Sequence, residues 1–224
     1  MSTRRSGLIV ALVLASIAIT CCVALAAEFS AEVVTSGGPA PSTGALYVKG
    51  QNLRHEMAAG KQQTIVIVNA DKKMMWAVNP ATKTYLAQPI PATALSKILA
   101  EMRGKPPTGA SAQGFKAKRL GTETVNGYPC EKTQVEGHGA KVTVWYSTKL
   151  ELALRTETSG SMGGKKLALR QDVKNIKERK LPASLFEPPK GYKEVKMPKM
   201  PAGAQGVPGQ GGGSRGAEHP PHGR

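Results

Sequence analysis

Residues 120–155 read LGTETVNGYPCEKTQVEGHGAKVTVWYSTKLELALR. Gly121, Asn126-Gly127 and Gly137-His138-Gly139 punctuate this stretch, and Val142, Val144 and Tyr146 alternate with Lys141, Thr143 and Trp145. Apolar residues at a period of two, bounded by turn-forming residues, specify consecutive antiparallel strands with one buried face each. No catalytic constellation lies inside the stretch, so it constrains shape rather than chemistry.

The pattern repeats along the chain. It predicts strands over 29–35, 45–49, 52–57, 63–69, 73–78 and 83–87, and again over 116–125, 128–135, 140–146, 152–157 and 166–176. A loop rich in Gly, Pro and Ser over 36–44 separates the first two. Strand 63–69 carries Ile65, Val66, Ile67 and Val68 on both faces, which predicts a central strand covered on both sides. Between the two groups the period changes. Leu95, Ile98, Leu99 and Met102 fall at helical spacing, predicting an amphipathic helix over 93–103. Gly104 stands where a left-handed cap is expected, and Pro106-Pro107 prevents continuation. Phe186 and Tyr192 are expected to pin the C-terminal turn to the sheet edge.

About ten or eleven strands with one covering helix give an α+β, mainly β fold, because an open sheet that large curls. The expected form is an unclosed antiparallel β-barrel with a helical lid. The apolar helix face, Leu95, Ile98, Leu99 and Met102, has two readings: plain core packing, or the roof of an apolar cavity. Ile65, Ile67, Met74, Trp76, Val142, Val144 and Trp145 are the strand residues expected to line such a cavity. Trp145 alternates with Val142 and Val144, so the sequence leaves open which side of the sheet is concave.

The 224 residues suit one domain with two appendages. Residues 1–27 read as a secretory signal peptide, with Arg4-Arg5, an apolar run over 8–19 and small residues at 24–27. Residues 28–195 form the domain. From Lys196 the Gly- and Pro-rich chain cannot bury itself, and a disordered basic tail is expected over 196–224. Export to the periplasm as a soluble protein is the expectation. The alternative is a membrane-anchored lipoprotein, acylated at Cys21 or Cys22, although Thr20 stands where a small residue would precede the modified cysteine. After leader removal only Cys130 remains, so no internal disulfide can form, and the thiol is read as a small buried hydrophobe.

The net charge of +16 favours anionic partners. An anionic envelope surface is therefore a candidate. Nucleic acid is not, because Lys116, Lys118 and Arg119 beside the lone Phe115 fall short of a stacking surface. His55 and His138 have no acidic partner at ligand spacing, and His219-Pro-Pro-His222 could hold a metal only loosely because two ligands do not make a tight site, so no metal or cofactor is expected. The run SGSMGGKK from Ser159 lacks phosphate-loop spacing and reads as a hairpin loop. No nucleophile elbow and no paired carboxylates appear, so an enzyme is not expected. A monomer is.

The run GTETVNGYPCEK from Gly121, the run VWYS from Val144, and LELAL over 150–154 resemble a family of secreted bacterial proteins of unknown function. That family lies within the superfamily of the lipoprotein-localisation carriers, LolA-like and LolB-like. The segment LPASLFEPPKGY from Leu181 resembles the superfamily's closing turn. The resemblance implies a half-barrel with helices as a lid over an apolar cavity, and non-covalent binding of a lipid or lipoprotein acyl chain. The carriers have more than one lid helix and an arginine in the cavity. Here one helix can be placed and no such arginine is singled out. The alternative is an envelope interaction or sensor module with no cavity ligand, docking by its basic surface.

Overall fold

The computed structural model describes residues 27–37, 41–60, 62–108, 114–137, 139–162 and 165–196. The expected leader up to residue 26 and the tail from 197 lie outside the described residues, as do Cys21, Cys22, His138, His219 and His222.

The first meander comprises β1 (Glu28–Ser36), β2 (Ser42–Lys49), β3 (Asn52–Ala59), β4 (Gln62–Asn69), β5 (Met74–Asn79) and β6 (Thr84–Pro89). The single α-helix of the described residues, α1 (Ala92–Met102), follows. The second meander comprises β7 (Lys116–Val125), β8 (Tyr128–Gly137), β9 (Ala140–Ser147), β10 (Leu152–Met162) and β11 (Lys165–Glu178). A 3-10 turn (Ala183–Phe186) and the short β12 (Lys193–Glu194) close the domain. The twelve strands form one sheet in the order β12-β6-β5-β4-β3-β2-β1-β11-β10-β9-β8-β7. β1 joins the meanders by pairing antiparallel with both β2 and β11. The expected unclosed, mainly β sheet with a helical lid is what forms.

Directly paired residues share a face of a sheet. The inner face is the one that carries α1. On it the register aligns Val68 with Leu53 and Met75, and His55 with Leu46 and Val66. Val68, Ala70, Ile90 and Leu99 form one buried cluster, with Leu95, Ile98 and Met102 packed against it. On the outer face Ile65, Ile67, Trp76 and Val78 pack against Leu181 and Phe186 of the C-terminal segment. This explains the apolar run of β4: α1 lies on one side and the 3-10 turn on the other.

Three differences from the sequence reading have physical causes. Phe186 lies on the outer face against Ile67 and Trp76 rather than at the edge. The edge is held instead by β12, which pairs in parallel with β6 through Lys193 and Glu194. Two charged residues carry no strand pattern, so this strand was not expected. β10 and β11 run past the predicted ends, since Ser159 and Gly160 keep their ladder pairing with Lys141 and Ala140 without apolar alternation. β2 likewise begins inside the predicted loop, where Ser42 pairs with Thr35.

Polar groups secure the outer strap. Lys49 Nζ donates to the Leu181 carbonyl at 2.7 Å, Arg54 Nη1 to that of Leu185 at 3.1 Å, and Asn69 Nδ2 to that of Phe186 at 3.1 Å. The Phe186 ring is 1% exposed. Phe186→Ala is expected to destabilise the domain by about 3–5 kcal/mol in urea unfolding. A loss within about 0.5 kcal/mol, the size of an ordinary surface change, would mean that the strap is not part of the cooperative unit.

Candidate functional site

The residues expected around one cavity divide among separate regions. Leu95, Ile98, Leu99 and Met102 lie on the inner side, where they meet Val68, Ala70 and Ile90. Ile65, Ile67, Met74 and Trp76 lie on the outer side, under the C-terminal strap. The alternation of strand side chains forces this split, because Ile67 pairs with Trp76 while its neighbour Val68 pairs with Met75. Trp145 shares the outer face, paired with Lys132 and Arg155. Its Nε1 donates to Glu123 Oε2 at 3.0 Å, and Lys132 Nζ stands 4.7 Å from its ring centroid. Val144 and Val142 pair with Thr156 and Thr158 on the inner face, away from the helix cluster. The helix face and Trp76 therefore do not share a void.

The space on the inner face lies beyond the end of α1, and the helix terminus defines it. Gly104 N–H donates to Glu101 O at 3.0 Å and Lys105 N–H to Ala100 O at 2.9 Å, the paired bonds of a Schellman cap. Gly104 has φ 65° and lies so close to β10 that a Cβ would stand 2.8 Å from the Ala153 side chain. Both requirements select glycine. Ala153 N–H then donates to the Arg103 carbonyl at 2.8 Å, which ties the helix end to β10.

This anchoring buries Arg103, which is 6% exposed. Its Nη1 donates to Glu151 Oε2 at 2.9 Å and its Nη2 to the Gly50 carbonyl. Its Nε is buried and hydrogen-bonds to nothing among the described residues. Nε2 of His55, on β3, is buried and equally without a partner. Both residues line a cavity of ≈ 120 Å³ with Val33, Leu46, Met102 and Val173 as apolar walls. A larger cleft of ≈ 480 Å³ lies between residues 105–108 and the inner face of β7–β9, where Arg119, Glu131, Thr133 and Tyr146 line it. A third, of ≈ 720 Å³, runs between α1 and the same segment, with Phe115 at its side. Burial, and then the nearby Glu151, push the Tyr146 hydroxyl above its ordinary range.

Sequence reasoning missed Arg103. A signal was present: Arg103 follows Leu99 by four residues, so it continues the apolar stripe of α1. A cation on an apolar stripe, just before a capping glycine, is a side chain directed into the fold. Arg119 and Glu151 carried no such mark, because their positions follow from register and from the crossing of residues 105–108. Cys130, read as a small buried hydrophobe, is 0% exposed on β8, and burial raises its thiol pKa.

Burial pushes the His55 pKa below the ordinary value of 6.5. The unfolded chain therefore binds a proton here more readily than the folded one. This contribution to stability is complete above pH 6.5 and is lost as pH falls from there through the folded pKa. In urea unfolding the unsubstituted protein should lose stability as the pH falls below 6.5, and His55→Leu should narrow that loss. An unchanged loss would assign the titration to other groups.

Among curated proteins none matches the chain by sequence. A solved structure of an uncharacterized conserved protein from Thermus thermophilus aligns at a TM-score of 0.53 with 15% identity, covering 78% of this chain and 93% of that one. This likeness supports the fold alone. The Pseudomonas aeruginosa MucA/MucB complex aligns at 0.42 with 15% identity, over 71% of this chain and 54% of that one. The Mycobacterium tuberculosis lipoprotein LppX aligns at 0.37 with 13% identity, over 70% and 89%. Both scores are too low to carry an argument about this chain. By sequence, the family described as "Domain of unknown function (DUF4412)" matches residues 39–162. That span takes in β2 through β10, more than half of the chain, and the chain belongs to this family.

Proposed function

We propose that this chain is an exported, non-enzymatic binding protein of the LolA-like kind, which holds an amphiphile such as a lipid or lipoprotein acyl chain. The observation that carries the reading is the pair of clefts of ≈ 480 and ≈ 720 Å³ flanking residues 105–108. Both fall in the size range of ligand sites, about 300–1,000 Å³. Their apolar surface comes from Pro106, Pro107, Ala117, Tyr146 and Phe115, and the prolines have no N–H to leave unsatisfied. Lys105 and Arg119 stand at the cleft and would hold an anionic headgroup. Affinity would grow by about 0.8 kcal/mol per buried CH₂.

A second reading has one observation in its favour. The helix is packed solidly on Val68, Ala70 and Ile90, so its apolar face needs no ligand to fill it. An envelope module that docks by its basic surface would be built this way.

Titration with a single-chain anionic lysophospholipid, below its micellar concentration and followed by native mass spectrometry, separates the two. The carrier reading expects a saturable one-to-one adduct, weakened about tenfold by Arg119→Glu, equivalent to about 1.4 kcal/mol. Absence of a saturable adduct would remove the carrier reading and leave the docking module.

A further inference from the structure

We infer that the free edge of β7 is a docking site for an acidic, extended segment of a partner protein, which adds to the sheet as a further strand. This goes beyond the cleft reading and does not depend on it. β7 ends the sheet order, and no strand among the described residues pairs with its far side. It is a ten-residue edge, exposed from Lys116 through Thr124. A row of unpaired N–H and C=O groups of that length is a template for another strand. The other end of the sheet differs, since β12 there pairs with Thr84 and Tyr85 of β6.

The side chains of the edge select the occupant. Lys116 and Lys118 pair in register with Glu136 and Gln134 of β8, so both stand on one face. Glu136 is already ion-paired with Lys141 Nζ at 3.1 Å, and it accepts from Gln134 Nε2 at 2.9 Å. Neither lysine has an ion pair or a side-chain hydrogen bond among the described residues. A strand laid along β7 sets its own side chains opposite them on the same face, where opposite charges stabilise and like charges destabilise. On the other face Ala117 borders the cleft, which Thr133 and Tyr146 also line. The fitting segment therefore alternates acidic with apolar residues. The match ends near Leu120, because the ladder with β8 shifts between Arg119 and Gly121.

Lysines and a bulge also keep an edge from pairing indiscriminately. Here they narrow the choice of strand. A second copy of this chain fits poorly. Antiparallel self-pairing sets the basic half of one β7 against the other half of the second, whose single acid, Glu123, is already held by Lys132 and Trp145. The net charge of +16 likewise favours an acidic partner.

The test uses the full chain and a capped hexapeptide alternating Glu with Val. The control peptide has the same composition, with the three Glu and the three Val segregated. Fluorescence anisotropy of labelled peptide reads affinity, and amide hydrogen exchange reads the place of binding. The alternating peptide is expected to bind saturably, at least about tenfold tighter than the control, and to slow exchange within β7. Lys116→Glu with Lys118→Glu should weaken it about tenfold. Both positions are exposed and neither lines the clefts, so the double variant should keep its lysophospholipid binding. If it fails to fold, the comparison of the two peptides decides alone. Equal binding of the two peptides, no saturable binding, or protection confined to other strands overturns the proposal. Concentration-dependent protection of β7 without peptide overturns it too, and assigns the edge to a second copy. Failure of lysophospholipid binding bears on the clefts and not on this edge, since the peptide is read at the β7 backbone.

Discussion

β1 pairs antiparallel with β2 on one edge and with β11 on the other, and the architecture depends on this double pairing. It places the first meander and the second side by side in one sheet, with β6 near one end and β7 at the other. The chain that leaves β6, described over residues 90–108, then crosses a face of the sheet. The connection that would be a short turn in a simple meander becomes a lid. The helix and the segment at 105–108 are thus a consequence of topology, and the clefts beside them are the space such a crossing leaves unfilled.

The crossing is held at its midpoint by few contacts, each demanding. Gly104 supplies the left-handed cap and the close approach to β10, and Ala153 completes the tie by donating to the Arg103 carbonyl. With the backbone fixed there, the Arg103 side chain extends toward the β2–β3 turn, where the Gly50 carbonyl accepts from it. A buried guanidinium that keeps an unmatched N–H is costly, by about 1–3 kcal/mol for an unsatisfied group. His55 Nε2 is a second buried atom without a partner among the described residues, and both residues line one cavity. Elsewhere charge is matched: burial opposes ionisation of Asp172, yet hydrogen bonds from Arg170 and Arg155 hold its carboxyl below the ordinary range.

Strand existence was legible because the buried faces need apolar alternation. The helix was legible from Leu95, Ile98, Leu99 and Met102 with Gly104 behind them. β4 could be read as doubly covered from its unbroken apolar run, although the identity of the second cover was not in the pattern. β12 was illegible, since its two residues hold an edge by backbone bonds alone. The site was less legible than the fold. Grouping apolar residues by type merged Ile67 and Trp76 with the α1 residues that lie across the sheet from them, and Trp145 with Val144. The last two are chain neighbours whose side chains take opposite faces.

The sequence by itself determined the strands other than β12, the helix, the turns between them and the family to which the chain belongs. Those features rest on local periodicity and on residues with special backbone freedom, and they act within a few positions of one another. Only the tertiary structure decided which face is inner, that the C-terminal segment covers the outer one, and that Arg103 and His55 meet at one cavity. These two residues stand far apart in the chain, on α1's end and β3. What brings them together is the pairing of β1 with β11 and the crossing it imposes, and no local pattern encodes a contact made by closure at that distance.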